Sequence, residues 1–485
     1  MQLRGQSQQL PIFAWNLTSQ RISWIVFWLL ALALVLFSLA LVYLRHYRHP
    51  LLVELSADPE KLQQIPPEQL LEARTRLKKS NRLDTVLIQG KVSAITLGKG
   101  IDFFTSDTHE QKIQHLADRL GTHATFIQKN LWKLQLPQDF PLNLQHCLVY
   151  FPQKDTAVVD VFTDMKGIPE ISRTITLLIG HSSEVQRKLY ANSKDLSNKW
   201  VVPSGRELTQ LLLSPEPEKA LADIFAGQLA LTLLSPYQLG GGVNNKSVFF
   251  GRLEIIDHII NRDPANYLMV GGRQLGKSSL LKALERRFKE QGSVTCFYLS
   301  LSSEILIPRL LSLLKLPKEE GLEALVEYAR GSKRQLVFLI DEADKFIRQE
   351  REQGYQILNM LRQMSEEGHC YFILAGFWEL YQHAVLDYQS PLKNFAETIQ
   401  IGALEEEACR QLATLPMQSL RLDYDHSGLI EHLLEKTGGR ANLIAIVCHQ
   451  IVEKLKPNKR MITKQAVNEA FYSDLTLNSL RGWGA

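Results

Sequence analysis

The sequence predicts an α/β protein whose C-terminal half carries a doubly wound parallel sheet, on three observations. Tyr267 to Val270 is a short apolar run that leads into a glycine-bearing loop and a Lys-Ser-Ser helix start, in the pattern G-x-x-x-x-G-K-[ST]. Leu336 to Ile340 is a second apolar run, ending in Asp341 and Glu342 as a buried parallel strand with acidic residues at its tip would. Around both, apolar runs of strand length alternate with segments of helical periodicity.

The chemistry explains the spacing of the first motif. A loop that wraps a triphosphate must turn its backbone N–H groups inward, and glycine permits the dihedrals and close approach this requires. Gly271, Gly272, Arg273, Gln274, Leu275 and Gly276 supply that loop, and the helix opening at Lys277, Ser278 and Ser279 adds its N-terminal amides and the positive end of its dipole. Lys277 is expected on the β/γ-phosphates and Ser278 on Mg²⁺. Asp341 is the second expected Mg²⁺ ligand, and Glu342 is placed to orient and deprotonate an attacking water. Asp344, which completes the letters DEAD, reads as a coincidence at the strand end, because no companion helicase motif accompanies it. ATP and Mg²⁺ are therefore the expected ligands.

Composition bounds the rest. A chain of 485 residues exceeds one ordinary domain. Its 45% hydrophobic and 22% charged residues are those of a globular protein. The net charge of +4 gives no argument for nucleic acid. The five cysteines are scattered without C-x-x-C, which excludes a disulfide scaffold or a cysteine metal site and points to a reducing compartment.

Taken in order, residues 1–21 form a polar N-terminal tail. Residues 22–44 are 23 residues without a charge, about 35 Å as a helix, and are expected to be a single transmembrane helix. Trp24, Trp28 and Tyr43 suit the interfacial belts, and the run is too long for a cleaved signal peptide despite Ser38-Leu39-Ala40. The charge balance around the span is nearly even, so the expected nucleotide site sets the orientation, with the large C-terminal part cytoplasmic and a bacterial inner membrane as the location. Residues 45–84 read as a juxtamembrane connector and 85–214 as an α/β sandwich domain with a mainly parallel sheet, with strands in TVLIQG, HCLVYF, TITLLIG and KWVVPS and no chemical motif. Residues 215–246 read as a hinge whose Gly240-Gly241-Gly242 marks a flexible or tightly turned approach. Residues 247–404 form the nucleotide core and 405–485 a small helical lid, winged-helix-like at its end.

Residues 235–471 resemble the prokaryotic STAND ATPases, signal-transduction relatives of the AAA+ fold. Ser235-Pro236-Tyr237 and Phe250-Gly251-Arg252 match that family's approach segment and its aromatic-Gly-Arg box, and LEEEACRQLATLPM with the helices after it matches its lid. The resemblance implies that Phe250, Gly251 and Arg252 lie against the adenine. It also marks departures. Gly438-Gly439-Arg440-Ala441 lacks the family's Gly-x-Pro, leaving Arg440 as the lid residue that could reach the phosphates. The strand ending at Ala375-Gly376 offers no polar sensor, and no arginine finger can be picked out, both of which suggest slow turnover.

The expected function is a membrane-anchored, ATP-hydrolysing switch in signalling or assembly. Its partners are membrane lipid, an unidentified protein and other copies of the chain. The alternatives are a non-hydrolysing scaffold stabilised by ATP and, against the charge, a nucleic-acid motor at the membrane.

Overall fold

In the computed structural model, residues 24, 26–40, 43 and 49–481 are described, apart from 107, 154–155, 194–198, 302–304, 318, 320, 389 and 457–458. The tail at 1–21 lies outside them, as do residues 22, 23, 25, 41, 42 and 44 of the expected span. Residues 26–40 are one helix whose side chains are exposed almost throughout. Among the described residues no helix is long and apolar enough to cross a membrane.

The chain divides into two units. The first unit is helical where a connector was expected. Helices Pro50–Ala57, Pro67–Lys79, Leu83–Gln89, Ala94–Thr105 and Gly205–Leu213, with a 3-10 turn at Pro59–Gln64, enclose a core of Leu52, Leu55, Leu62, Leu70, Leu77, Val86, Leu97 and Leu213. This corrects two expectations. Residues 45–84 contribute the larger share of a packed core, and TVLIQG is helix, not strand. A run of six residues cannot separate the two by periodicity. Val86 and Leu87 are buried while Ile88 is 79% exposed, the one-sided burial of a helix.

The second unit contains two five-stranded sheets. In the first, β1 (Ala124–Gln128), β2 (Leu131–Gln135), β3 (His146–Tyr150), β4 (Thr176–Leu178) and β5 (Trp200–Val201) lie in sequence order. β1 to β3 pair antiparallel and β3 to β5 parallel, so the sheet is mixed where a mainly parallel one was expected. The hairpin was missed because β1 is exposed along nearly its whole length and shows no alternation. Its turn uses Asn130 at φ 65°, a left-handed conformation that asparagine tolerates.

The second sheet is the expected doubly wound one. β6 (Tyr267–Gly271), β7 (Thr295–Ser300), β8 (Leu336–Asp341), β9 (Cys370–Gly376) and β10 (Glu397–Ile401) pair in parallel, in the order β10-β6-β9-β8-β7. Phe297, Phe338 and Phe372 stack across three adjacent strands at 5.4 and 5.5 Å. Cys296 and Cys370 are buried in strands of this sheet as small apolar groups. The lid consists of helices Glu406–Ser419, Gly428–Thr437, Ala441–Lys454, Lys464–Phe471 and Asp474–Arg481. Its strands β11 (Asp423–Tyr424) and β12 (Met461–Ile462) pair in parallel, so no antiparallel wing is found among the described residues.

Asn266 ties the nucleotide sheet together just before β6. Its Oδ1 accepts from Phe372 N (2.8 Å) and Ser365 Oγ (3.1 Å), and its Nδ2 donates to Phe395 O (3.2 Å). Asn266→Ala would leave a buried N–H and a buried carbonyl without partners. It should cost about 2–3 kcal/mol of domain stability, read as a lower denaturant midpoint at unchanged slope.

Candidate active site

β6 is buried through Val270 and delivers the loop to the C-terminal edge of the sheet. A Cβ on Gly271 would come 2.5 Å from Ile401 O, so only glycine lets β10 pass this close. Gln274 (φ 61°) and Gly276 (φ 89°) turn the loop left-handed before the helix Lys277–Gln291 begins. Lys277 Nζ donates to Gly271 O (2.8 Å) and Gly272 O (2.7 Å), closing a ring across the loop. Burial pulls the Lys277 pKa below its ordinary value, against the charges of Asp341 and Asp344.

At the tip of β8, Asp341 is buried with both carboxylate oxygens engaged. Oδ1 accepts from Glu342 N (3.0 Å) and Oδ2 from Tyr298 Oη (3.1 Å). Glu342 takes φ 57°, a costly conformation for a residue with a side chain. Asp344 is not incidental. Its carboxylate accepts from Phe377 N (2.7 Å) and Leu380 N (3.2 Å), fixing the chain as it leaves β9. A Cβ on Gly376 would meet Leu380 and Asp344, which accounts for the missing polar side chain at that tip.

The triple glycine is a strap laid on the start of the loop's helix. A Cβ on Gly242 would fall 2.7 Å from the backbone C and O of Ser278, and Gly241 sits at φ 70°. Val243 N donates to Ser279 Oγ (3.0 Å), Lys282 Nζ to Gly242 O (2.7 Å) and Arg286 Nη1 to Asn244 O (3.0 Å). Ser279, expected among the nucleotide-binding residues of the helix start, turns its hydroxyl to the strap. Beyond it, Asn245 Nδ2 and Ser247 Oγ donate to Phe140 O at 3.0 and 3.1 Å. Of the flexible and the tightly turned approach that the sequence allows, these contacts give the second, a clamp.

The aromatic-Gly-Arg box also carries structure. Arg252 is buried at φ 61°; its N–H donates to the Glu405 carboxylate (3.2 Å) and its Nη2 to Gly402 O (2.6 Å). Gly251, at φ 73°, leaves no room for a Cβ beside Glu405 and Ala408. The box therefore joins the core to the start of the lid.

One cavity of about 1050 Å³ gathers most of the expected site. Phe250, Arg252, Arg273, Gln274, Leu275, Gly276, Lys277, Ser278, Ser279, Asp341 and Glu342 line it, while Gly251, Gly271 and Gly272 do not. Arg440 does not line it either; its neighbours Ala441 and Asn442 do. The lining falls into an apolar set (Val248, Phe249, Leu404, Leu412, Ala445) suited to a base and a polar set suited to phosphates. Ser278 and Asp341 offer hard oxygen donors to the same space, which fits Mg²⁺. No group of three or more His, Cys, Asp or Glu side chains suited to a metal occurs among the described residues. A cation that borrows substrate phosphates and water needs no such group. Residues the sequence did not mark include Tyr298, the strap's Gly242 and Lys282, and Arg348, which lines the cavity and donates to Glu379 (3.0 Å). Only the triple glycine gave any prior signal.

Residues 235–475 match the family described as novel STAND NTPase 1. Solved structures similar to part of the chain include a Walker-type ATPase of Pyrococcus abyssi, at 17% identity and TM-score 0.35 over 51% of this chain and 79% of that one. The Aeropyrum pernix ORC2 protein, solved in ADPNP–ADP complexes, is similar at 12% identity and TM-score 0.37 over 46% and 69%. The FIGL-1 AAA domain in complex with ADP is similar at 17% identity and TM-score 0.34 over 51% and 91%. No curated protein matches the chain.

The clamp has a consequence that can be measured. Ser279→Ala removes the acceptor for Val243 N and should loosen the strap. Proteolytic cleavage around Gly240–Gly242 is expected to quicken, while the melting temperature moves by less than a few degrees, the shift that about 1 kcal/mol gives.

Proposed function

We propose that this chain, a STAND/AAA+-like P-loop ATPase over residues 235–475, is a membrane-anchored switch that binds ATP and hydrolyses it slowly. One observation carries the reading: the loop from β6 and the acidic tip of β8 line a single cavity, with lid residues Ala441, Asn442 and Ala445 in its wall. Anchoring is supported by the uncharged run at 22–44 and the exposed apolar side chains of 26–40, and the bulk of the chain is then placed in the cytoplasm.

The roles follow from the residues. The loop amides and Lys277 bind the β/γ-phosphates, with Lys277 exchanging its two carbonyl partners for phosphate oxygens. Ser278 and Asp341 would hold Mg²⁺, which supplies charge neutralisation on the triphosphate. Glu342 orients the attacking water and accepts its proton. Phe250 and Arg252 stand on the base side with the apolar lining. Slow turnover is supported by the tip of β9, where Gly376 brings no polar group to the water. Arg348, one arginine in the cavity wall, is committed to Glu379. Arg252 is held by Gly402 O and Arg273 lies over the Phe377 ring in the same wall, so a faster rate calls for Arg273 to move or for an arginine from another copy of the chain. The β1–β5 sheet, tied to the strap through Phe140, is the element that receives or delivers the signal to a protein partner.

A scaffold that binds ATP without turnover is the competing reading, and the same experiment separates them. Lys277→Ala should abolish ATP binding to the full chain. Glu342→Gln should keep binding and lower hydrolysis by about 10²–10⁴-fold, the range for a general base. Wild-type protein that binds ATP with no phosphate release would establish the scaffold, and protein that binds no nucleotide would remove both readings.

A further inference from the structure

Tyr298 is not in the cavity wall, yet it reaches the residue on which the cation site depends. β7 and β8 are parallel, with Ser300 opposite Asp341 and Tyr298 opposite Leu339. Tyr298 and Ser300 share one face of β7, so the ring of Tyr298 leans along the strand towards the diagonal neighbour, Asp341. Its hydroxyl meets Asp341 Oδ2 at 3.1 Å. The other oxygen, Oδ1, accepts the Glu342 N–H at 3.0 Å. An ionised carboxylate offers about four lone-pair sites, so two remain once these bonds are made. A carboxylate gripped at both oxygens cannot rotate about its terminal torsion, which is otherwise broad.

A carboxylate only accepts and a phenol ordinarily keeps its proton near neutral pH, so Tyr298 is the donor of this bond. Lys282 Nζ lies over the ring, 5.9 Å from its centroid, and that same Nζ donates to Gly242 O of the strap. The tyrosine thus stands between the strap's lysine and the cation site.

We propose that Tyr298 is a positioning residue for the divalent cation, fixing through its hydroxyl the orientation in which Asp341 is presented to the cavity that Ser278 also lines. The inference rests on the reading of the cavity as an ATP·Mg²⁺ site. A hydrogen-bond partner of a metal-binding carboxylate restricts its rotation and sets its basicity, and losing such a partner typically weakens metal binding 10–100-fold.

The test uses the full chain, a non-hydrolysable ATP analogue and titrations of Mg²⁺ and of Mn²⁺, the latter read by the EPR signal of the free ion. Tyr298→Phe removes one oxygen and keeps the ring. The cation concentration for half-saturation should rise about 10–100-fold, with analogue binding in the absence of metal and the melting temperature unchanged. An unchanged or lower cation requirement would overturn the proposal. An equal loss of metal-free binding, or a fall in melting temperature alone, marks a packing role and overturns it as well. Wild-type protein that binds the analogue neither with nor without cation would instead sink the ATP reading itself, and the role of Tyr298 with it.

Discussion

A loop that presents its amides to a phosphate chain cannot satisfy them internally, so everything around it must hold it open. Here the support is layered. The buried strand β6 fixes where the loop starts, and the Ile401 carbonyl presses against Gly271 so closely that no side chain could intervene. Left-handed dihedrals at Gln274 and Gly276 turn the chain before the helix takes over. Lys277 then bridges the first two carbonyls, so the donor proposed for the phosphates also steadies the loop. Asn266 works at the other end of the strand, joining β6 to β9 and to the segment ahead of β10. A loop left to solvent would pay the ordering entropy on binding; a pre-set one has already done so.

The same helix start is where neighbouring parts of the chain converge. The strap rests on Ser278 and is held by Ser279, Lys282 and Arg286, and its far end is bonded to Phe140 near the mixed sheet. Lys282 also covers Tyr298, whose hydroxyl ends on Asp341. A continuous series of contacts therefore runs from the connection between β2 and β3 to both of the expected cation ligands. Such a series is a physical route for coupling, and its existence depends on side chains of opposite function sitting a turn apart on one helix.

The nucleotide motifs were legible in the sequence because phosphate chemistry dictates both residue type and spacing. Gly271, Gly276, Lys277 and Ser278 have few substitutes, and the acidic pair after the apolar run Leu336–Ile340 gave that run a meaning its length alone could not. Legibility failed where a contact is made across space. Tyr298 meets Asp341 through the register of two strands, and no spacing along the chain encodes that. Asp344 spelled a familiar motif by chance of letters, while its carboxylate serves two backbone amides after β9. The triple glycine left a flexible and a tightly turned approach both open, because composition reports what a segment permits; its neighbours decide which it takes. TVLIQG failed for want of length, and the first hairpin for want of a buried face.

The junction between Arg252 and Glu405 bears on how the lid can travel. Glu405 immediately precedes the lid's first helix and grips the core through the Arg252 amide, while Leu404 N donates to Gly439 O (2.8 Å) at the entry to the helix that lines the cavity. Two fixed points so near each other define an axle. The helix Asp474–Arg481 packs against the helix Ala441–Lys454, so a rotation about that axle would carry the two together. Whatever moves Ala441 and Asn442 in the cavity wall would then move the lid's last helix with them, and a hand laid on that helix would be felt in the cavity.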